Sequence, residues 1–143
     1  GEAMTDNYAD TDYAFLALLR LAKLQQQQGK PAAALAALDK ADKLSLNEQN
    51  RELAKIRKLQ MLISQGKLAD AGKLAASLKA VYYPGSLADI RGDLALAAGN
   101  RTQAAAYYKE ALLKLDPDAG SRALIELKLT EAGGSADKAQ EIR

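Results

Sequence analysis

Two aspartates, Asp89 and Asp93, are the residues whose type and spacing in this chain could do chemistry. Four positions apart on a helix, they share one face, and paired carboxylates can divide general-acid and general-base duties when their environments separate their pKa values. Arg91 lies between them in sequence but falls on the opposite side of a helical wheel, so it does not bridge them by position. The competing reading is structural, with capping and local ion pairs at a helix start, and composition favours it. The chain has no histidine and no cysteine. That removes the usual general base, thiol nucleophiles, disulfides and zinc ligation, so no catalytic residue, cofactor or metal site is expected and the chain reads as a non-enzyme.

Other chemistry-bearing groups point to surfaces. Arg51, Lys55, Arg57 and Lys58 form a cationic cluster partly balanced by Glu48 and Glu52, as on a solvated helix face. Tyr82-Tyr83 and Tyr107-Tyr108 supply most of the aromatic area. Adjacent helical residues point about 100° apart, so one tyrosine of each pair packs inward and the other is a candidate anchor, here Tyr83 and Tyr108. Net charge is +2 with both signs mixed along the chain, and no basic stripe with interleaved aromatics occurs, which argues against a nucleic-acid partner. No apolar run is long enough to span a bilayer, and no secretory signal pattern is present.

The elements that would carry these residues are helices. Of 143 residues 48% are apolar but only 5% aromatic, with no Trp and one Phe. Such an Ala/Leu-rich interior suits close-packed helices rather than strands. Glycines 29, 66 and 99 recur at intervals of 37 (66 − 29) and 33 (99 − 66), bracketing the 34 residues of a tetratricopeptide unit. Each is followed five positions later by alanine: Ala34, Ala71 and Ala104. Seven before each stand Ala22, Leu59 and Gly92, and twelve after stand Ala41, Leu78 and Ala111. Small residues are needed there because the two helices of a repeat cross closely, and the middle repeat departs from that rule.

The spacing predicts an all-α, tetratricopeptide-repeat-like right-handed superhelix of about three helical hairpins plus a C-terminal capping helix. Residues 1–12 are expected as a polar, flexible lead-in, 13–131 as one repeat domain and 132–143 as a disordered polar tail. Helices are expected over about 13–28, from Pro31 to about Leu44, over 48–64 with Asn47 as N-cap, over 68–81, on both sides of Gly99 with a stop at Asp116-Pro117, and over 119–131. The run Gln25–Gln28 is expected as a solvated last turn.

First helices of such repeats line the inner face, here with Leu16, Leu19, Lys23, Leu53, Ile56, Gln60, Ile63, Asp89, Asp93 and Leu96. The first two repeats thus offer an apolar strip edged by Lys23 and Gln60, suited to an apolar peptide or amphipathic helix. The alternative is that the lead-in or a neighbouring helix covers it. The candidate partner-binding residues are Leu16, Leu19, Lys23, Leu53, Ile56, Gln60, Ile63, Tyr83 and Tyr108.

The segment Tyr13–Ala22, the turn Gly29–Ala34 and above all Ala88-Asp89-Ile90-Arg91-Gly92-Asp93 with Gly99-Asn100 resemble the soluble domain of the YfgM family, as does Ala123–Leu129. The resemblance spans most of residues 13–131. It implies a periplasmic repeat domain of a single-pass bacterial inner-membrane protein whose anchor is not in this chain. Such a protein is an ancillary subunit of the SecYEG translocon that works beside a membrane-anchored periplasmic chaperone and handles exported polypeptides. It implies no catalytic residues. A generic tetratricopeptide-repeat scaffold in another bacterial envelope assembly is the alternative.

Overall fold

The computed structural model of the chain describes residues 2–134, with side chains from residue 10 onward. Among these are seven α-helices and no strand: α1 (Glu2–Gln27), α2 (Pro31–Leu44), α3 (Glu48–Ser64), α4 (Leu68–Ser77), α5 (Pro84–Ala97), α6 (Arg101–Lys114) and α7 (Arg122–Glu131). They fall into two compact units that divide between Gly66 and Lys67, the first holding α1–α3 and the second α4–α7. Of the expected tail, 132–143, residues 135–143 lie outside the described residues, whereas Ala132 is not loose but buried in the core of the second unit.

Glycine sets the turns. Gly29, Gly66 and Gly99 adopt φ of 75°, 76° and 85°, the left-handed region that closes a helix without a Cβ clash. At two of them the next amide reaches back across the turn, Lys30 N–H to the Gln25 carbonyl and Asn100 N–H to the Ala95 carbonyl, each at 2.8 Å. Helix starts follow the expected chemistry. Pro31 opens α2, and the Asn47 side chain accepts from the Asn50 amide at 2.7 Å to cap α3. Asn100 does the same for α6 through Gln103 N–H at 3.1 Å.

The alanines five after each turn glycine, Ala34, Ala71 and Ala104, are all fully buried. In the first unit, Phe15, Ala41 and Ala54 form one core cluster and Ala22, Ala37 and Leu38 another. In the second unit Ala104, Tyr108 and Ala111 of α6 pack with Ala88 and Ala95 of α5 and with Ile125 and Leu129 of α7. Helix α7 thereby covers α6, the capping role expected of it.

Three boundaries differ from the sequence expectation. Helix α1 begins at Glu2, so residues 2–12 are helical rather than a loose lead-in. That stretch has no proline or glycine, and its acidic residues lie at the end where they favour the helix dipole. Helix α4 stops at Ser77, four residues early, where the Ser77 hydroxyl donates to the Leu74 carbonyl at 2.7 Å and Leu78 turns extended. Helix α7 starts at Arg122, three residues later than expected (122 − 119), after turns in which Ala119 N–H donates to the Asp116 carbonyl and Arg122 N–H to the Ala119 carbonyl; α5 opens at Pro84, where proline at N1 presets the first turn.

Candidate protein-interaction cleft

In the first unit α1 and α3 expose parallel sets of residues at i, i+3, i+4, i+7 spacing: Leu16, Leu19, Arg20 and Lys23 on α1, and Arg57, Gln60, Met61 and Ser64 on α3. Together with Leu38 of α2 these line a cleft of about 540 Å³. Its volume lies within the range that holds a small ligand or a few side chains of a peptide. Leu16 is 51% exposed at its edge, and Met61 is half-buried in the wall. The far end is fixed by amides: Gln26 donates to the Ser64 hydroxyl at 3.2 Å and accepts from the Gln65 side chain at 2.9 Å, which also donates to the Pro31 carbonyl at 3.2 Å. Part of the glutamine run is therefore an inter-helix clamp rather than a solvated turn. Gln25 and Gln26 are half-buried, and only Gln27 and Gln28 are exposed.

Four of the nine candidate partner-binding residues, Leu16, Leu19, Lys23 and Gln60, converge on this cleft. Leu53 is half-buried and packs against the Phe15 cluster instead. Ile63 is half-buried and does not line the cleft, while Ile56 is buried. Tyr83 is half-buried at the start of α5. Tyr108 is no anchor: it is 0% exposed. Its ring lies where a side chain at position 92 would stand, since a Cβ there would come within 2.6 Å of Cδ1 and 2.9 Å of Cζ. Gly92 is the small residue that lets α6 bring a tyrosine against α5.

The Asp89/Asp93 pair belongs to the same buried assembly. Lys128, on α7, places Nζ 2.7 Å from Asp89 Oδ1 and 3.0 Å from Asp93 Oδ1. The contact to Asp89 is close but not aligned as a hydrogen bond, whereas Lys128 donates to both oxygens of Asp93. The Tyr108 hydroxyl also donates to Asp93 Oδ1, at 2.7 Å, and the ammonium sits 5.3 Å from the Tyr108 ring centroid. Burial raises the Asp89 carboxyl above its ordinary range, and Asp93 adds to that while Lys128 opposes it. Burial also raises the Tyr108 phenol, aided by its bond to Asp93 and by nearby carboxylate charge. For Lys128 burial works against the ammonium, but Asp89 and Asp93 outweigh it, and the net direction is upward.

This arrangement locks α5, α6 and α7 together. Neither aspartate lines the cleft between α1 and α3. Nor is the pair a helix-start cap, since α5 begins five residues before Asp89 (89 − 84). Among the described residues no group of three or more acidic side chains could hold a metal ion. Arg91 faces elsewhere and donates to the Ala75 and Leu78 carbonyls at 2.9 and 3.2 Å, closing the end of α4. The same device recurs where Arg122 donates to the Leu112 carbonyl at 2.8 Å at the end of α6, and Arg51 to the Ser45 carbonyl at 3.2 Å at the end of α2. Within the cationic cluster Arg51 pairs with Glu48 at 3.5 Å and Lys58 with Asp39 at 2.7 Å, while Arg57 lies on the cleft.

A family model described as a tetratricopeptide repeat-like domain matches residues 1–134. Comparisons with curated proteins and with solved structures find no match.

Proposed function

We propose, since the chain belongs to the family of tetratricopeptide repeat-like domains, that it is a non-enzymatic protein–protein interaction scaffold whose first unit seats a partner segment between α1 and α3. One observation carries this reading: two successive first-of-repeat helices leave a cleft with an apolar floor, and Leu16 stands half exposed at its edge. The carboxylate pair, the alternative seat of activity, is occupied by Lys128 and Tyr108 in a structural lock.

We further propose that the partners are the SecYEG translocon, a membrane-anchored periplasmic chaperone and exported polypeptides, on the periplasmic side of the bacterial inner membrane. This rests on the resemblance of residues 13–131 to the YfgM family, carried most specifically by Ala88–Asp93. Among the described residues no helix is long and apolar enough to cross a membrane.

The test is photocrosslinking in bacterial membranes from photoreactive residues at Leu16 and Gln60, with exposed Leu113 of α6 as control. Adducts to translocon subunits, the chaperone or exported chains from the first two positions and not the third are expected. Adducts confined to other envelope proteins would move the scaffold to another assembly, and adducts from Leu113 alone would refute the cleft.

A further inference from the structure

The rim of the cleft is as one-sided as its floor. Three cations line it, Arg20 and Lys23 from α1 and Arg57 from α3, and no aspartate or glutamate does. All three are exposed, and none has an ion-pair partner among the described residues. Sequence explains why: none has an acidic residue three or four positions away in either direction, where helical neighbours lie. Elsewhere the chain does pair its charges, as with Lys58 and Asp39, Lys114 and Glu110, and Arg51 and Glu48. Acidic residues of the first unit such as Asp39, Asp42, Glu48 and Glu52 all lie off the cleft.

We infer that the occupant is an amphipathic protein segment with an apolar face for Leu16, Leu19 and Met61 and carboxylates along its edges for Arg20, Lys23 and Arg57. This rests on the cleft being the interaction site. The stripe on α1 from Leu16 to Gln27 spans roughly 16 Å, the length of about three helical turns, so one short helix fills it. A purely apolar segment would leave three cations beside a lowered dielectric without counter-charge, and a basic one would add repulsion. An acidic amphipathic segment satisfies floor and rim together. The same field would speed its docking at low salt.

The experiment measures binding of fluorescent amphipathic peptides to the purified chain by anisotropy. Three peptides share one apolar face and carry Glu, Gln or Lys at the flanking positions. The Glu peptide is expected to bind about 10-fold tighter than the Gln peptide at low ionic strength, the sum of three modest exposed pairs. That preference should fall towards unity at about 1 M salt and in the Arg20→Gln/Lys23→Gln/Arg57→Gln variant, whose exposed, unpaired positions leave the fold intact. Equal binding of the Glu and Gln peptides, both lost in Leu16→Asp, would overturn the acidic partner while leaving the cleft in place. Binding insensitive to Leu16→Asp, or no binding by any peptide, would overturn both. Self-association abolished by Leu16→Asp would make a second copy the occupant, and dodecanoate displacing the Glu peptide at lower concentration than the Gln peptide does would make it an anionic lipid; either result overturns the inference.

Discussion

Replacing Gly92 by alanine adds one methyl group at the most crowded point of the second unit. Its carbon would stand 2.6 Å from Cδ1 and 2.9 Å from Cζ of Tyr108, well inside van der Waals contact. The ring has little room to retreat, because it is fully buried and its hydroxyl is held 2.7 Å from Asp93. Overpacking of this kind costs about 1–3 kcal/mol, and dragging the hydroxyl off a carboxylate forfeits part of a further 1.5–3, roughly. The opposing term is helix propensity, in which alanine gains about 1 kcal/mol over glycine. Net destabilisation of about 1–3 kcal/mol is expected. Gly72, inside α4, has open space where its Cβ would go, so Gly72→Ala keeps only the favourable term and should stabilise by about 0.5–1 kcal/mol. Urea unfolding followed by circular dichroism reads both as shifts in midpoint at unchanged slope. A Gly92→Ala protein as stable as Gly72→Ala would refute the packing account. So would an undiminished penalty in a Tyr108→Leu background, where the clashing ring is gone.

Removing the charge that joins three helices should be more costly. Lys128→Met leaves Asp89 and Asp93 without their cation at a site where the lysine and Asp89 side chains are only 18% and 19% exposed, and a loss of about 2–3 kcal/mol near neutral pH is expected from urea midpoints. That loss should shrink on acidification, because a carboxyl with a raised folded-state pKa contributes stability once it is protonated. In the unaltered protein Tyr108 and Lys128 both titrate above their ordinary values of 10.0 and 10.5, so the stability they confer is whole below those values and lost as pH rises through the higher folded-state ones. Tyr108→Phe should flatten the alkaline limb of the stability profile; a limb of unchanged slope would contradict the assignment. Arg91→Ala uncovers the Ala75 and Leu78 carbonyls at the end of a ten-residue helix and should cost about 1–2 kcal/mol, with amide exchange in α4 accelerated more than in α7.

Much of the fold could be read because it is written in residues with narrow physical roles. Gly29, Gly66 and Gly99 occupy positive φ, Asn47 caps where its spacing placed it, and Ala34, Ala71 and Ala104 are all buried. Even the departure of the middle repeat is informative. The division between the two units falls beside Gly66, the turn flanked by Leu59 and Leu78 where the other turns have Ala22 and Ala41, or Gly92 and Ala111. What local pattern could not reveal are contacts set by tertiary geometry. Nothing in the local pattern of α7 distinguishes Lys128 from its other polar positions, yet it neutralises two carboxylates 35 and 39 residues earlier (128 − 93, 128 − 89). Tyr108 was legible as one of a pair but not as the buried member, although Gly92 left the space its ring fills. The arginines that close α2, α4 and α6 stand 7, 14 and 8 residues beyond the helix ends (51 − 44, 91 − 77, 122 − 114), a spacing too variable to be a local signal, so their role is visible only once the carbonyls they reach are placed.

Hydrogen exchange of the purified chain with and without an acidic amphipathic peptide tests the cleft most directly, because it reads every described helix in one measurement. The central claim requires added protection concentrated in residues 16–27 of α1 and 57–64 of α3, with α6 and α7 unchanged. Protection in α6 and α7 with none in α1 or α3 would place the partner on the second unit and contradict the account.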